Sequence, residues 1–302
     1  MKLSVIVSTY NREQYLPSAL ESLAKQNFDK QYFEILLVNN NSTDSTEFIC
    51  TEFAKKYPEI NFRYVIEYNQ GLSYARNRGI EEAKGEIIVF IDDDAFAFAN
   101  YITEMNRFFV ENKQIIAGGG RIYPYWERKQ PVWMSKYLMP LVSVIDLGDE
   151  VQLFKNRNFP IGANMAFRRT AFEKYGNFNV NLGRVGKGMQ GGEEKDIFYR
   201  LQNAGEQVAY IPNAKVHHLV PEKRLTFDFI KKQAIDIGKS EKIRAKSIGF
   251  FELLMSFVRE LAKWGASLLI YLVYFYTLKV EKAKMIIRFR FWVSQGLFFS
   301  KI

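Results

Sequence analysis

Apolar runs of strand length alternate with helix-like stretches through the first third of the chain. Strands are predicted at residues 3–8, 35–38, 62–66 and 87–91. The helices between them are predicted at residues 13–25, 45–57 and 73–83. This alternation is typical of an α/β fold in which crossover helices join parallel strands. The carboxyl ends of such strands meet at one edge of the sheet, where ligands bind in folds of this class.

Three adjacent carboxylates, Asp92, Asp93 and Asp94, follow the last of these apolar runs. Because neighbouring carboxylates repel one another, a fold that keeps them ionised is expected to hold a divalent cation there, together with a phosphorylated ligand. The alternative is an acidic loop that caps a helix starting at Ala95. Polar residues 9–12 and 39–44 follow two other strands and are predicted to converge on the same edge, although residues 39–44 also suit a local helix cap.

Basic residues are concentrated toward the carboxyl end of the chain, whose net charge is +9. Residues 221–302 contain 16 Lys and Arg against 7 Asp and Glu, so the rest of the chain is balanced. This distribution argues against a chain-wide nucleic-acid surface and favours a local contact with anionic lipid or another polyanion. The one cysteine, Cys50, cannot form an internal disulfide, which fits a reducing cytosol. Residues 1–7 are too short an apolar stretch for a secretory signal, so we expect the body of the protein on the cytoplasmic side.

The sequence after Arg224 is helix-like, with basic residues among large apolar ones. Residues 264–278 form an uncharged run of 15, shorter than the roughly 20 residues needed to span a bilayer. Flanking lysines and tyrosines within the run favour an interfacial or re-entrant membrane helix, and thus a peripheral or monotopic protein. The alternative is an amphipathic helix buried in a soluble dimer, a possible homo-oligomer. Residues 118–159, rich in aromatics, Gly and Pro, are predicted to form a hairpin and loops that cover the sheet edge.

Ordered motifs give the chain a resemblance to a known family. They lie at residues 5–12, 37–44, 69–79, 83–94, 162–169, 191–201 and 216–224. In this order they resemble family 2 glycosyltransferases of the GT-A fold. The resemblance implies a GT-A domain over residues 1–224, with a Rossmann-like, nucleotide-binding mixed sheet flanked by helices. Such a domain transfers a sugar from a nucleotide-diphosphate donor with inversion at the anomeric carbon. Residues 225–302 are then a helical extension for membrane association or oligomerisation.

The resemblance implies a metal site on the acidic tip. Asp92 and Asp94 would hold Mn²⁺ or Mg²⁺, which neutralises charge on the leaving nucleoside diphosphate. Oxygen ligands favour these hard cations, and an imidazole ligand shifts the preference toward Mn²⁺. His218 matches the family's histidine near the metal and diphosphate, whereas His217 would point to the opposite face of the same strand. The alternative for His218 is a surface or supporting histidine that does not bind metal.

The catalytic base is expected within the pair Glu193 and Glu194. An inverting displacement needs a group that takes the proton from the acceptor hydroxyl. The family more often has Glu-Asp at this point, and the role of its second carboxylate carries over to Glu194, which is one methylene longer. Neighbouring carboxylates would raise the pKa of one member of the pair. The alternative is a solvated helix amino terminus stabilised by acidic residues.

The resemblance also assigns residues to the nucleotide-sugar donor. The family positions that contact the nucleotide base correspond here to Thr9, Tyr10, Asn11 and Arg12. Those that contact the base or the diphosphate correspond to Asn69 and Arg76. Asp92 or Asp93 would accept from ribose or sugar hydroxyls. Many relatives have Asp at the position of Asn39 to accept the uracil N3 proton, and because the Asn39 oxygen can also accept it, we expect a UDP-sugar. Discrimination between sugars is expected in residues 162–169 and 183–192.

The leading hypothesis is a non-processive glycosyltransferase at the cytoplasmic face of the cell membrane. It would add one sugar to a lipid-linked or polysaccharide-precursor acceptor. A processive polymerase is disfavoured because the Gln-x-x-Arg-Trp segment of such enzymes is absent. One alternative is a nucleotidyltransferase acting on sugar phosphates, against which the missing glycine-rich, lysine-bearing first loop argues. The other is a noncatalytic sugar-nucleotide-binding membrane protein, which the departures at Asn39 and Glu194 allow.

Overall fold

The computed structural model of the chain describes residues 2–155, 158–186 and 191–300, without the side chains of residues 247 and 248. The chain divides into two compact units, residues 1–123 with 143–218, and residues 124–142 with 219–302. Residues 124–142 thus group with the C-terminal segment, which the sequence does not indicate. Met1 and residues 301–302, the ends of the predicted domains, lie outside the described residues. Residues 187–190, part of the segment predicted to discriminate between sugars, also lie outside the described residues.

Parallel strands form one half of the sheet in the first unit. They are β1 Leu3–Thr9, β2 Phe33–Asn39, β3 Phe62–Ile66 and β4 Ile87–Asp92. Their spatial order is β3-β2-β1-β4, and Leu3 lies opposite both Phe33 and Ile87. Nearly continuous apolar sequence suits these strands because helices cover both faces of a parallel sheet. The predicted strands are confirmed, with small shifts at their ends.

Three crossover helices connect these strands. They are α1 Leu16–Ala24, α2 Thr46–Lys56 and α3 Leu72–Glu82. Leu20 and Cys50 belong to one buried cluster and Ile80 to another, so the helices cover opposite faces of the sheet. Burial raises the pKa of the Cys50 thiol to about 12, so this thiol stays protonated at neutral pH. The predicted helices are confirmed, except that α1 begins at Leu16 after a turn closed by Tyr15 N–H and Arg12 O.

Shorter strands complete a mixed sheet. They are β5 Ala95–Ala97, β6 Ala117–Trp126, β7 Gln152–Leu153, β8 Met165–Arg168 and β9 Val208–Val220. Among the described residues the order is β3-β2-β1-β4-β8-β6-β9-β5, and β7 also pairs with β9. The alternative of a helix starting at Ala95 is wrong, because Ala95 begins a strand antiparallel to β9. The helices of this half are α4 Tyr101–Glu111, α5 Arg169–Tyr175 and α6 Glu193–Asn203.

Three consecutive glycines allow β6 to lie inside the sheet. We expected residues 118–159 to cover the sheet edge as a hairpin and loops, but β6 runs between β8 and β9. A Cβ atom at Gly119 would overlap Pro160, and one at Gly120 would overlap the Ala214 carbonyl. The prediction is therefore wrong for the first part of this segment, because the glycines serve close packing of an interior strand.

The second unit contains three long helices, α7 Phe227–Ile248, α8 Phe250–Tyr276 and α9 Val280–Phe299. The helix-like character predicted after Arg224 is confirmed. Helices α7 and α9 cross at Gly238 and Gly296, where a Cβ atom on either glycine would overlap the backbone of the other helix. Across the described ranges, no helix is both long enough and apolar enough to cross a membrane.

Candidate active site

The loops that follow β1 and β2 are joined by hydrogen bonds at one edge of the sheet. The Asn11 side-chain oxygen accepts from Thr43 N–H at 2.8 Å, and Asn11 N–H donates to Ser42 Oγ at 3.0 Å. Asn11 has a left-handed backbone, with φ of 51°, a conformation that Asn adopts more readily than most residues. The predicted convergence of these two loops is confirmed.

Asp93 is held by residues of the β1 loop. Thr9 Oγ1 donates to Asp93 Oδ2 at 2.7 Å, and Arg12 Nε lies 3.4 Å from Asp93 Oδ1. Arg12 also forms an ion pair with Asp94. Burial raises the pKa of Asp93 to about 7, although Arg12 opposes this shift. Thr9 and Arg12, which we expected to contact a nucleotide base, thus contact the acidic tip.

Asp92, Asp94 and His218 come together beside these loops. One ligand atom from each lies within 4.8 Å of the others, and His218 Nε2 is 3.2 Å from Asp94 Oδ1. The pairing of β5 with β9 brings about this approach by setting Ala95 opposite His218. His217 faces away from the site and stacks on Phe98, with ring centroids 4.9 Å apart. The alternation predicted for the two histidines is confirmed.

The chemistry of this group fits a hard divalent cation. Asp94 and His218 are buried, whereas Asp92 is partly exposed, so the group offers two carboxylates and one imidazole to a ligand entering from solvent. Oxygen ligands suit Mg²⁺ and Mn²⁺, and the imidazole suits Mn²⁺ better. Among the described residues, the buried Nδ1 atom of His218 has no hydrogen-bond partner. The metal-binding role of the three residues stays a prediction.

A fully buried arginine joins the acidic tip to the glutamate pair at the start of α6. Arg76 Nη1 lies 2.9 Å from Glu193 Oε1, and its Nη2 lies 3.0 Å from Glu194 Oε1 and 3.7 Å from Asp92 Oδ1. Burial raises the pKa of Glu194, with Arg76 opposing the shift and Glu193 and Asp92 adding to it. Arg76 was expected at the base or diphosphate of the donor. Its guanidinium is enclosed by these carboxylates, and its contact with the donor stays a prediction.

Gly162 leaves the space that the Arg76–Glu194 ion pair occupies. A Cβ atom at Gly162 would overlap both Arg76 Nη2 and Glu194 Oε1. We expect Gly162→Ala to displace this pair and to lower kcat for sugar transfer at least about tenfold, since small misplacements of catalytic groups are costly. Steady-state kinetics would measure the change. Gly265→Ala is the control, because a Cβ atom there meets open space, and an unchanged kcat for Gly162→Ala would contradict the role of the pair.

Asn39 and Asn69 already use their side-chain amides within the protein. Asn39 Nδ2 donates to the Tyr64 hydroxyl at 2.8 Å, and its Oδ1 accepts from Ser42 N–H at 2.8 Å. Asn69 is exposed, and its Nδ2 donates to Glu67 Oε1 at 2.8 Å. A uracil ring that donates to Asn39 would share its oxygen with Ser42. Tyr10, the remaining candidate, is partly exposed beside the same loops.

Asn40 is a structural residue of the site that the sequence did not single out. It is buried, and its Nδ2 donates to the carbonyl oxygens of Glu67 and Asn69 at 3.0 and 2.7 Å. Its Oδ1 accepts from Gly71 N–H at 2.8 Å, which fixes the turn before α3. Three asparagines are consecutive here, and no local pattern shows that Asn39 and Asn40 are buried whereas Asn41 is exposed.

Comparison with known proteins agrees with this arrangement. The model of the family described as Glycosyl transferase family 2 matches residues 4–176, more than half of the chain. The chain belongs to this family. It is therefore a glycosyltransferase, as the ordered motifs implied, and the matched residues include the loops after β1 and β2, Arg76, the acidic tip and Gly162.

Named relatives of this glycosyltransferase act on different acceptors. It is 27% identical over 246 residues to a glucosyl-dolichyl phosphate glucuronosyltransferase of Haloferax volcanii, which covers 80% of this chain and 77% of the relative. It is 29% identical over 227 residues to a poly(ribitol-phosphate) beta-glucosyltransferase of Bacillus spizizenii. That match covers 70% of this chain but 34% of the relative, so the glycosyltransferase spans only about a third of that protein.

Solved structures support the GT-A fold of this glycosyltransferase. A mannosyltransferase of Pyrobaculum calidifontis, in complex with GDP-Man and Mn²⁺, matches with a TM-score of 0.61 and 18% identity over 99% of this chain and 88% of that one. S. aureus TarS 1-349 in complex with UDP-GlcNAc matches with a TM-score of 0.54 and 21% identity over 78% of this chain and 66% of that one. At these identities the likeness shows the fold alone, and the predicted mixed α/β sheet with flanking helices is confirmed.

Proposed function

We propose that this glycosyltransferase moves one sugar, with inversion, from a UDP-linked donor to a hydroxyl of a lipid-linked or cell-surface glycan precursor. It would use Mn²⁺ or Mg²⁺ and work at the cytoplasmic face of the cell membrane. One observation carries the proposal: Asp92, Asp94 and His218 lie together, and Arg76 links Asp92 to the partly buried Glu194. The proposed site for the phosphorylated leaving group therefore lies next to the proposed proton acceptor, Glu194.

Residues around the acidic tip would receive the donor diphosphate. When bound there, a divalent cation stabilises the negative charge that develops on the departing nucleoside diphosphate. Asp92 and Asp94 would hold it through carboxylate oxygens, and His218 through an imidazole nitrogen. Arg12 pairs with Asp93 and Asp94 and so reduces the repulsion among the carboxylates.

Glu194 would act on the acceptor. Its carboxylate takes the proton of the attacking hydroxyl as the new glycosidic bond forms, and a raised pKa makes it a stronger base than an exposed Glu. Arg76 holds the carboxylate through Oε1 and leaves Oε2 for the hydroxyl. Glu193 also pairs with Arg76 and keeps the buried cation balanced by negative charge.

The relatives support the classes of donor and acceptor. TarS is described in complex with UDP and with UDP-GlcNAc, and the Pyrobaculum enzyme with GDP-Man and Mn²⁺. The Haloferax relative is named for a dolichyl phosphate sugar, and the Bacillus relative for poly(ribitol-phosphate). Both names refer to a phosphate-containing acceptor, lipid-linked in the first relative and polymeric in the second. The choice of uridine rests on the oxygen of Asn39.

Nucleotide binding with and without Mn²⁺ tests the proposal. We expect UDP and a UDP-sugar to bind by calorimetry only when metal is present, and Asp94→Ala to weaken that binding at least about a hundredfold, since it removes a ligand of the metal. Asp236→Ala, an exposed residue of α7, is the matched control and should bind as the wild type does.

The other outcomes separate the alternatives. Binding without metal, unchanged by Asp94→Ala, would contradict the metal site. Pyrophosphate release from a nucleoside triphosphate and a sugar phosphate would identify a nucleotidyltransferase. Donor binding without transfer or hydrolysis would identify a noncatalytic binder, and failure of every nucleotide to bind would overturn the proposed donor site.

A further inference from the structure

One face of α8 exposes a row of large apolar side chains. We call it the α8 stripe, and its members are Phe251, Leu254, Val258, Leu261, Leu268 and Leu272. Their exposed fractions lie between 44% and 74%. An apolar surface of this continuity on a soluble protein usually marks a contact with a partner or a membrane.

The spacing of the α8 stripe makes it a single straight surface. Its members are three or four residues apart, except for Leu261 and Leu268, which are seven residues apart with Gly265 between them on the same face. From Phe251 to Leu272 the helix rises about 32 Å. None of these positions carries a charge, so the stripe is uniformly apolar along its length.

Buried polar contacts on the opposite side of α8 fix the direction in which the stripe faces. Glu260 is buried and forms an ion pair with Arg290 of α9, with Nη1–Oε2 at 3.1 Å. Ser294 Oγ donates to Glu260 Oε1 at 2.8 Å, and Trp264 Nε1 donates to Ser294 Oγ at 2.9 Å. Rotating α8 to hide the stripe would break this network and leave buried charges unpaired.

The turn after α8 extends the same apolar character. Tyr276 is 79% exposed and Leu278 is 87% exposed. Leu278 has a left-handed backbone, with φ of 58°, which is unusual for a residue with a branched side chain. The apolar surface therefore continues to the connection with α9.

Charge favours an anionic partner for this surface. The sequence of the second unit contains 19 Lys and Arg against 8 Asp and Glu, whereas that of the first is nearly balanced. Lys279, the charged residue that follows the uncharged half of α8, is exposed. A second copy of the chain would bring like charges to this surface, whereas anionic lipid headgroups would neutralise them.

We propose that the α8 stripe docks the protein onto an anionic bilayer, with α8 lying in the interface and Lys279 at the headgroups. A helix with one long apolar face and flanking lysines binds in this way through apolar burial and attraction to anionic lipid. The reason for docking, access to a lipid-linked acceptor, rests on the proposed function. The docking itself does not involve sugar transfer and is tested without it.

Vesicle co-sedimentation of the full chain tests the docking surface. We expect the wild type to bind vesicles of phosphatidylcholine with phosphatidylserine, and to bind pure phosphatidylcholine more weakly. Leu261→Asp and Leu268→Asp should each lower the partition coefficient at least about tenfold, because a charge replaces a buried apolar group. Lys279→Gln should lower it about fivefold on anionic vesicles only. Val110→Asp, an equally exposed apolar position on α4, is the matched control and should bind as the wild type does.

Contrary outcomes are distinguishable. Circular dichroism and UDP binding, measured on every variant, separate loss of docking from loss of folding or of the donor site. Absence of wild-type binding to anionic vesicles would overturn the docking proposal, as would equal binding by the wild type and Leu268→Asp. A wild type that is dimeric by light scattering, and a Leu268→Asp variant that is monomeric with unchanged vesicle binding, would assign the stripe to a second copy. In each case the proposed glycosyl transfer is tested separately, by the nucleotide-binding and transfer assays.

Discussion

Glu194→Gln is expected to lower kcat for sugar transfer by about 10²- to 10⁴-fold, the usual contribution of a positioned general base. The amide has the shape of the carboxylate, and its oxygen can still accept from Arg76 Nη2, as Glu194 Oε1 does at 3.0 Å. It cannot take a proton from the acceptor hydroxyl. The donor affinity should change little because the residues of the acidic tip are untouched. Steady-state kinetics at saturating donor and calorimetric UDP binding would measure the two effects.

Two further variants make this result specific. Glu173→Gln removes an exposed carboxylate of α5 and should leave kcat unchanged. Glu194→Asp, which restores the Glu-Asp pattern more common in the family, should retain measurable transfer. If Glu194→Gln kept more than about a tenth of the wild-type kcat, the base would have to be sought elsewhere, first at Glu193.

Arg76→Met is expected to lower the free energy of unfolding by about 3 to 5 kcal/mol, the range found when a buried ion pair loses one partner. The substitution leaves Glu193 buried without its cation at 2.9 Å and removes the cation of Glu194 as well. Urea unfolding followed by tryptophan fluorescence would measure the loss. Arg78→Met is the matched control, because Arg78 on the same helix has a side chain that is 40% exposed and pairs with Glu82 near the surface. It should cost less than about 1 kcal/mol.

The loss of unfolding free energy caused by Arg76→Met should depend on pH. Burial already raises the pKa of Glu194, and Arg76 is the group that opposes this rise, so its removal raises the pKa further. The folded state then binds more protons than the unfolded chain, and stability falls as pH increases above the ordinary carboxyl range. We expect a smaller deficit near about pH 5 than near about pH 8. A triple variant that adds Glu193→Gln and Glu194→Gln should recover part of the loss, whereas an equal deficit at both pH values would contradict unpaired carboxylates as its cause.

Local sequence patterns were sufficient for the parallel half of the sheet and its helices. Strands buried on both faces carry unbroken apolar runs, and crossover helices carry a 3.6-residue period, so both are visible within short windows. The same was true of the polar residues that end β1, β2 and β4. Their convergence follows from parallel topology, and the contacts between Asn11 and Thr43 and between Thr9 and Asp93 agree with it.

Those local patterns do not predict which side chains pair within the site. Arg76 and Glu194 are 118 positions apart, and their contact depends on how α3 and α6 pack in three dimensions. Ala95 follows three carboxylates that suit a helix cap, yet it forms a strand because β9 lies alongside and supplies hydrogen-bonding partners. The family resemblance supplied roles for residues such as His218, but it did not show which cations balance which carboxylates.

The hydrogen bonds between the loops after β1 and β2 also affect the thermodynamics of ligand capture. Asn11 contacts Thr43 and Ser42, and Glu13 Oε2 accepts from Ser45 N–H at 2.8 Å, so hydrogen bonds between protein groups join the two loops. The conformational entropy of ordering them is lost when the chain folds. A molecule that enters between them therefore retains more of its gross interaction energy as affinity than it would at loops that order only on contact.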